Sequence, residues 1–274
     1  MISIITAVRN LLPMNKLYFE SLKKYTRNKF ELIIIDNGST DGSAEYFRNV
    51  GAKIISNNGN YSYCYTQNQG IKAASHDILC FFNNDLIVSP GWDEKMLKIM
   101  DRENLDIFSF ATNDRSESEV ATRKIRNRWK AIKNPLLFLF GVNKPVIKVM
   151  HKLMYGNWEK YILKRYSKFG DKIKEGVSGS CIVMSREAIN KIGIWDERIF
   201  SGDFDYLIRS KIRNKEIGDI KPIHILLGVY FHHYSRLTTK AKAHAPYSDI
   251  SFFTELEDKW GVERIKDLLK DIEY

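Results

Sequence analysis

Cysteine is scarce: three residues in 274, Cys64, Cys80 and Cys181, with no metal-ligand spacing and each beside apolar or aromatic neighbours. That excludes a disulfide framework and reads as reduced, buried thiols in a cytosolic protein. No run of about twenty apolar residues occurs, so no segment reads as a membrane span. The chain opens MISIITAV, strand-like from the start, with no basic leader or cleavage site, so no signal peptide is expected. Glycine is missing from TAVRNLLPMNK after that strand. A nucleotidyltransferase would want a Gly-rich, basic phosphate loop there. Internal repeats and low-complexity tracts are also absent.

Acidic residues are nearly missing from one internal stretch. Between Arg123 and Lys174 there are 15 Lys or Arg against only Glu159 and Asp171, a surplus of +13 in a chain whose net charge is +10. The rest of the chain is therefore slightly acidic, and the whole positive excess belongs to one segment.

Outside that segment, short apolar runs alternate with helical patterns. Ile2 to Val8, Phe30 to Ile35, Lys53 to Ser56, Ile78 to Phe82 and Asp106 to Ala111 read as strands. Lys16 to Tyr25, Ser43 to Asn49, Gln67 to Ala74 and Asp93 to Met100 read as the intervening helices. This spacing predicts a mostly parallel α/β sheet flanked by helices, buried on both faces. In the basic segment, helices are predicted around Lys124 to Lys133 and Val146 to Met154, flanking an apolar run begun by Pro135. Strand character resumes at Val177 to Met184 and at Leu226 to His232, with helices at Ser185 to Ile192 and Asp203 to Arg213. The stretch from Ile250 to Ile272 reads as amphipathic, with Phe253, Leu256, Trp260, Ile265 and Leu268 on its apolar side.

Several strand ends deliver side chains that could do chemistry. Asp36 closes IIID before the turn NGSTDGS. It either accepts the imide N–H of a uracil or thymine or the ribose hydroxyls, or it satisfies turn donors. Asp85 follows Asn83-Asn84 in FFNNDLIVSPGW. It either holds a divalent cation bridging a diphosphate, since Mg²⁺ and Mn²⁺ take few carboxylates beside phosphate oxygens, or belongs to an Asx-rich turn. Asp203 and Asp205 open a helix in SGDFDYLIR. One is a candidate general base, while Asp205 and Arg209 have the spacing of a plain helix ion pair. His232 and His233 end a strand, where imidazole suits Mn²⁺ as a further ligand.

In order, SIITAVRN, IIIDNGSTDGS, NYSYCYTQNQGI, FFNNDLIVSPGW, VSGSCIVMSREAINKIGIWDERIFSGDFDYLIR, HHYSRLT and DKWG resemble the motifs of inverting family 2 glycosyltransferases of the GT-A fold. The resemblance implies a GT-A Rossmann-like single domain over 1–274. Residues 1–111 would form the donor-binding half, 112–176 a basic helical insertion, and 177–274 the acceptor-side half. It implies that Thr6, Arg9, Asp36, Asn68 and Asn84 meet a nucleotide-sugar of the UDP or dTDP type. Asp85 and His232 would hold Mn²⁺ or Mg²⁺, Asp203 would be the catalytic base, and Ser180, Trp195 and Asp205 would meet the acceptor. Three departures stand out: a single Asp in the metal motif, Gly202 in place of a Glu before Asp203, and Ser62 where Gly is common.

The family motifs skip residues 115–175, where the charge lies. Ile125, Trp129 and Ile132 share a helical face among basic residues, and Val146, Met150 and Leu153 repeat the pattern. A basic amphipathic surface fits an anionic membrane and a lipid-linked or surface-polysaccharide glycan acceptor at the inner membrane face. It also fits DNA carrying a modified base, or a solvated insertion packing its apolar side on the domain. A non-catalytic nucleotide-binding module is the remaining alternative.

Overall fold

In the computed structural model, residues 1–235, 237 and 246–272 are described. The strands are β1 (Ile2–Val8), β2 (Phe30–Asp36), β3 (Lys53–Ser56), β4 (Ile78–Phe82), β5 (Leu86–Ile87), β6 (Ile107–Thr112), β7 (Ile173–Glu175), β8 (Cys181–Ser185) and β9 (His224–His233). They form one nine-stranded sheet in the order β3-β2-β1-β4-β8-β6-β9-β5, with β7 also on β9. Its parallel ladders join β1–β4, β6 and β9 into one direction, while β5, β7 and β8 run against it. The sheet is mostly parallel, as the strand–helix alternation predicts.

Alternation along each strand divides the core in two. Ile4, Ile34, Cys80 and Phe82 face one layer. Ile5, Ile33, Ile35 and Phe81 face the other. The first layer is covered by α1 (Leu12–Tyr25), α4 (Trp92–Glu103) and three helices of the basic segment: α5 (Glu119–Phe140), α6 (Lys144–Tyr155) and α7 (Trp158–Phe169). The second is covered by α3 (Tyr63–Ala73), α8 (Arg186–Ile192) and α9 (Gly202–Glu216). A short α2 (Ser43–Asn49) follows β2. All three cysteines are buried and unpaired.

Three expectations change. The helix of the basic segment does not stop before Pro135 but runs through it for 22 residues. Proline costs this helix one backbone hydrogen bond, and packing of Trp129 and Lys133 just before it holds the helix in place. A third helix, α7, follows, burying Trp158 and Ile162. The C-terminal stretch is not one amphipathic helix. It breaks into a 3₁₀ turn (Ile250–Phe252), α10 (Leu256–Trp260) and α11 (Val262–Leu269), with Gly261 at φ +78° between the last two.

The basic segment packs on the domain rather than standing off it. Trp129, Ile147, Met150, Met154, Trp158 and Ile162 are in the first core layer. Lys24 and Glu159 pair at 2.7 Å, and Lys98 and Arg102 both reach Asp171.

Candidate active site

The strand order reverses between β1 and β4: the chain builds β2 and β3 on one side of β1, then β4 on the other. Open α/β sheets bind ligands outside the carboxyl ends of the strands at such a switch point. Asp36, at the end of β2, is 5% exposed and accepts the Ser39 N–H at 3.2 and 3.3 Å. Arg9 donates to the Asn37 carbonyl. Asn15 donates to the Asn10 carbonyl at 2.9 Å and to Ser43 at 2.8 Å, and accepts from Asn84 Nδ2 at 2.7 Å. Arg9, Asp36 and Asn84 are thus brought to one sheet end by hydrogen bonds that knit its loops.

Thr6 and Asn68 are not at that surface. Thr6 is fully buried, its hydroxyl 2.7 Å from Tyr18 OH, because its position on β1 faces α1. Asn68 is buried in α3 and bonds both backbone groups of Trp195, with N–H to Oδ1 at 3.0 Å and Nδ2 to C=O at 2.9 Å, and it also reaches Glu197. It pins α3 to the chain before α9. Ser62, at the position where Gly is common, caps α3 by accepting from Tyr65 N–H, and its own N–H meets Asp249. On α3 the residue that sequence reading misses is Gln67, fully buried with neither amide atom bonded among the described residues. Its only sequence signal is a polar side chain interrupting a buried helix face.

Beyond β4, Asp85 leads into β5, which pairs with the end of β9 so that Leu86 faces His233 and Ile87 faces His232. Neighbouring side chains on a strand point to opposite faces, so only one histidine can meet Asp85. It is His233. Its Nε2 lies 3.1 Å from Asp85 Oδ1, and its Nδ1 lies 2.6 Å from Asp114 Oδ2. His232, the expected ligand, turns into an aromatic cage with ring centroids 4.5 Å from Trp129 and 4.4 Å from Tyr234, and its Nδ1 is 2.9 Å from Tyr155 OH. A register shift between Phe110 and Ala111 in the β6–β9 ladder sets the phase of this last part of β9.

Burial alone would lower the His233 pKa. The charge of Asp85 and the hydrogen bond to Asp114 override it and lift the ring to about 10. Beyond the His233 ring, Asp85 Oδ1 meets no hydrogen-bond partner among the described residues. A carboxylate oxygen facing a histidine ring fits Mn²⁺ or Mg²⁺ once the cation displaces the ring proton, since only the neutral imidazole is a ligand. No group of three or more His, Cys, Asp or Glu among the described residues is arranged to hold a cation alone. The remaining ligands would have to come from outside the described residues.

The β4–β8 ladder ends at Phe82 opposite Cys181, and Asn83 N–H continues it to the Ser180 carbonyl at 3.0 Å. One residue back, Gly179 packs directly on Asp203: a Cβ there would collide with the Asp203 carboxylate. Asp203 is half-buried in the first turn of α9. Crowding by protein raises its pKa, opposed by backbone N–H groups and by the charge of Arg115. Asp85 and Asp203 therefore flank one ladder end. Gly202 precedes Asp203 for a steric reason, since any side chain there would strike Cys64 Sγ and the Trp195 ring.

Two acceptor-side candidates are buried in contacts within the protein. Asp205 is fully buried, 2.9 Å from Arg209 Nε, 2.6 Å from Lys259 Nζ and 2.8 Å from Trp260 Nε1. The ion-pair alternative is the one the geometry selects, with the Lys259-Trp260 part of DKWG docking α10 onto α9. Trp195 is 1% exposed, edge-on to Tyr206, Tyr63 and Phe81. Ser180 stays at the ladder end. Arg236 and Thr238 of the HHYSRLT motif lie outside the described residues.

A mostly parallel sheet whose strand order reverses, with carboxylates after its strand ends, is the GT-A glycosyltransferase architecture. The chain belongs to glycosyl transferase family 2, whose family model matches residues 3–193. Among curated relatives it is similar to EpsH of Bacillus subtilis (strain 168), whose own assignment as a glycosyltransferase is provisional, at 29% identity over 115 residues. That match covers 40% of this chain and spans only 33% of EpsH. Two solved structures share the fold. S. aureus TarS 1-349, in complex with UDP, has TM-score 0.54 and 14% identity, covering 99% of this chain and 72% of TarS. The mannosyltransferase PcManGT from Pyrobaculum calidifontis, in complex with GDP-Man and Mn²⁺, has TM-score 0.51 and 11% identity, covering 98% and 74%.

Proposed function

We propose that the protein is an inverting glycosyltransferase that moves a sugar from a UDP- or dTDP-type nucleotide-sugar to a hydroxyl acceptor. The observation that carries this reading is that Asp203 packs on Gly179 beside the end of the β4–β8 ladder, from which the chain runs on to Asp85. Asp36 and Arg9 stand at the switch point where the nucleoside would lie, and Asn84 holds the neighbouring loop. Asp85 and His233 would hold Mn²⁺ or Mg²⁺; such a cation, when bound, neutralises charge on the departing nucleoside diphosphate.

Asp203 then takes the proton of the attacking hydroxyl. Its raised pKa suits a base, because a more basic carboxylate accepts that proton more readily. One base and one displacement invert the anomeric carbon. Gly179 sets the position of Asp203, and Ser180 borders the space left for the acceptor.

The acceptor reading rests on the end of α5, where Phe138, Leu139 and Phe140 are exposed, Phe138 by 89%. With the basic surplus of the same segment they suit an anionic membrane surface carrying a lipid-linked or polysaccharide glycan. No helix among the described residues is long and apolar enough to cross a membrane. The test is a donor screen with Mn²⁺: turnover of a UDP- or dTDP-sugar that is lost in Asp203→Asn supports the reading, and turnover with no donor sinks it.

A further inference from the structure

Where β6 ends, Asp114 and Arg115 lead into α5, and a cleft of about 530 Å³ opens between them. Its charged lining is Asp114, Arg115, Glu119, Arg123, Arg126 and Lys130. A second space of about 300 Å³ shares Asp114, Arg126 and Lys130 and runs on to Lys133. Glu119, Arg123, Arg126 and Lys130 recur every three or four residues and so share one face of α5. Five cationic side chains thus stand against two carboxylates. Arg123, Arg126 and Lys130 are exposed, and Arg126 pairs with Asp114 only loosely, at 3.9 Å.

The cleft adjoins the reaction centre on both sides. Asp114 is bonded to His233, which faces Asp85, and the charge of Arg115 is felt by Asp203. Its lining shares no residue with the sheet end of Arg9, Asp36 and Asn84 assigned to the donor. We propose that this cleft binds a phosphate or diphosphate group on the acceptor, so that the acceptor is a phosphate-bearing glycan or glycan carrier. The inference rests on the glycosyltransferase reading and names its second substrate class. Guanidinium forks match phosphate oxygens two at a time, which a scattered lysine surface does not. The carboxylates of Asp114 and Glu119 on the lining limit the charge it accepts to one or two phosphates, against a long polyanionic strand.

The test uses inorganic pyrophosphate as probe, titrated calorimetrically in EDTA, where Asp85 without a cation repels it from the donor side. Wild type is compared with the triple variant Arg123→Gln/Arg126→Gln/Lys130→Gln. A control, Lys160→Gln/Lys164→Gln/Lys168→Gln, removes equal charge from exposed positions on α7. The expected result is a loss of at least about tenfold in affinity in the first variant and little change in the control. Equal weakening in both, or no binding to wild type, overturns the proposal. Co-sedimentation with phosphatidylglycerol vesicles that falls in the α5 variant while pyrophosphate affinity does not also overturns it, assigning the charge to a membrane surface. UDP binding with Mn²⁺ is measured in parallel. Its absence in wild type tells against the donor reading alone, because pyrophosphate in EDTA does not depend on it. Transfer to a soluble sugar phosphate against transfer to a phospholipid-linked glycan in vesicles then distinguishes the two carriers.

Discussion

His233 stands with Nε2 3.1 Å from Asp85 and Nδ1 2.6 Å from Asp114, while its neighbour His232 is walled in by Trp129, Tyr234 and Tyr155. Two adjacent histidines with the same sequence context thus have opposite duties. One faces the site where a donor diphosphate would be held, and the other fastens the basic segment to β9.

The first prediction separates them. His233→Ala should weaken Mn²⁺-dependent UDP binding by at least about tenfold, the scale of losing even an outer-shell metal partner. His232→Ala should leave that affinity alone and cost about 2–4 kcal/mol of stability through the cavity it opens. Calorimetric UDP titration beside thermal unfolding checks both. Equal binding losses in the two variants would contradict the assignment.

Asp205 yields a stability prediction. Replacing it with Asn strands Arg209 and Lys259 against a buried neutral group, at a cost of about 3–5 kcal/mol. Denaturant unfolding should show this loss, and kcat per folded molecule should change little. A large fall in kcat with native stability would return Asp205 to the acceptor site.

Gly179→Ala tests how Asp203 is positioned. The added methyl overlaps the carboxylate, so the base must shift, and displacements of about 1 Å cost on the order of a hundredfold in rate. The expected signature is a fall in kcat with donor KM nearly unchanged. An unchanged kcat would mean that Asp203 has room the structure does not give it.

The pH dependence follows from the same residue. Burial disfavours the charged carboxylate, so Asp203 keeps its proton to a higher pH than the ordinary 3.8. Only the ionised form can act as base, so activity is present above the raised pKa and lost as pH falls through it. The acid limb of the kcat profile should therefore have its midpoint above 3.8. A midpoint at or below that value would exclude Asp203 as the titrating group.

Much of this was legible in the sequence. Apolar runs such as LIII and ILCFF specify strands buried on both faces, and each leads into a carboxylate, Asp36 or Asp85, where the chain leaves the sheet. What was not legible is direction. Choosing His233 over His232 needs the phase of β9, which a register shift beside Phe110 resets. Thr6 matches the family motif, but its strand position turns it toward Tyr18. Asp205 sits two residues from Asp203 in sequence, and only the docking of Lys259 and Trp260 from the C-terminal stretch shows that its charge is already used. Pro135 reads as a stop because local rules forbid it inside a helix, whereas the buried side of Trp129 decides the matter through packing.

The most direct test is Asp203→Asn, assayed for sugar transfer and, separately, for UDP binding with Mn²⁺. The predicted result is a loss of transfer of about a hundredfold or more, the usual contribution of a general base, with UDP affinity within about twofold of wild type, since Asp203 is no cation ligand. Transfer that persists at the wild-type rate in a folded Asp203→Asn protein would contradict the account.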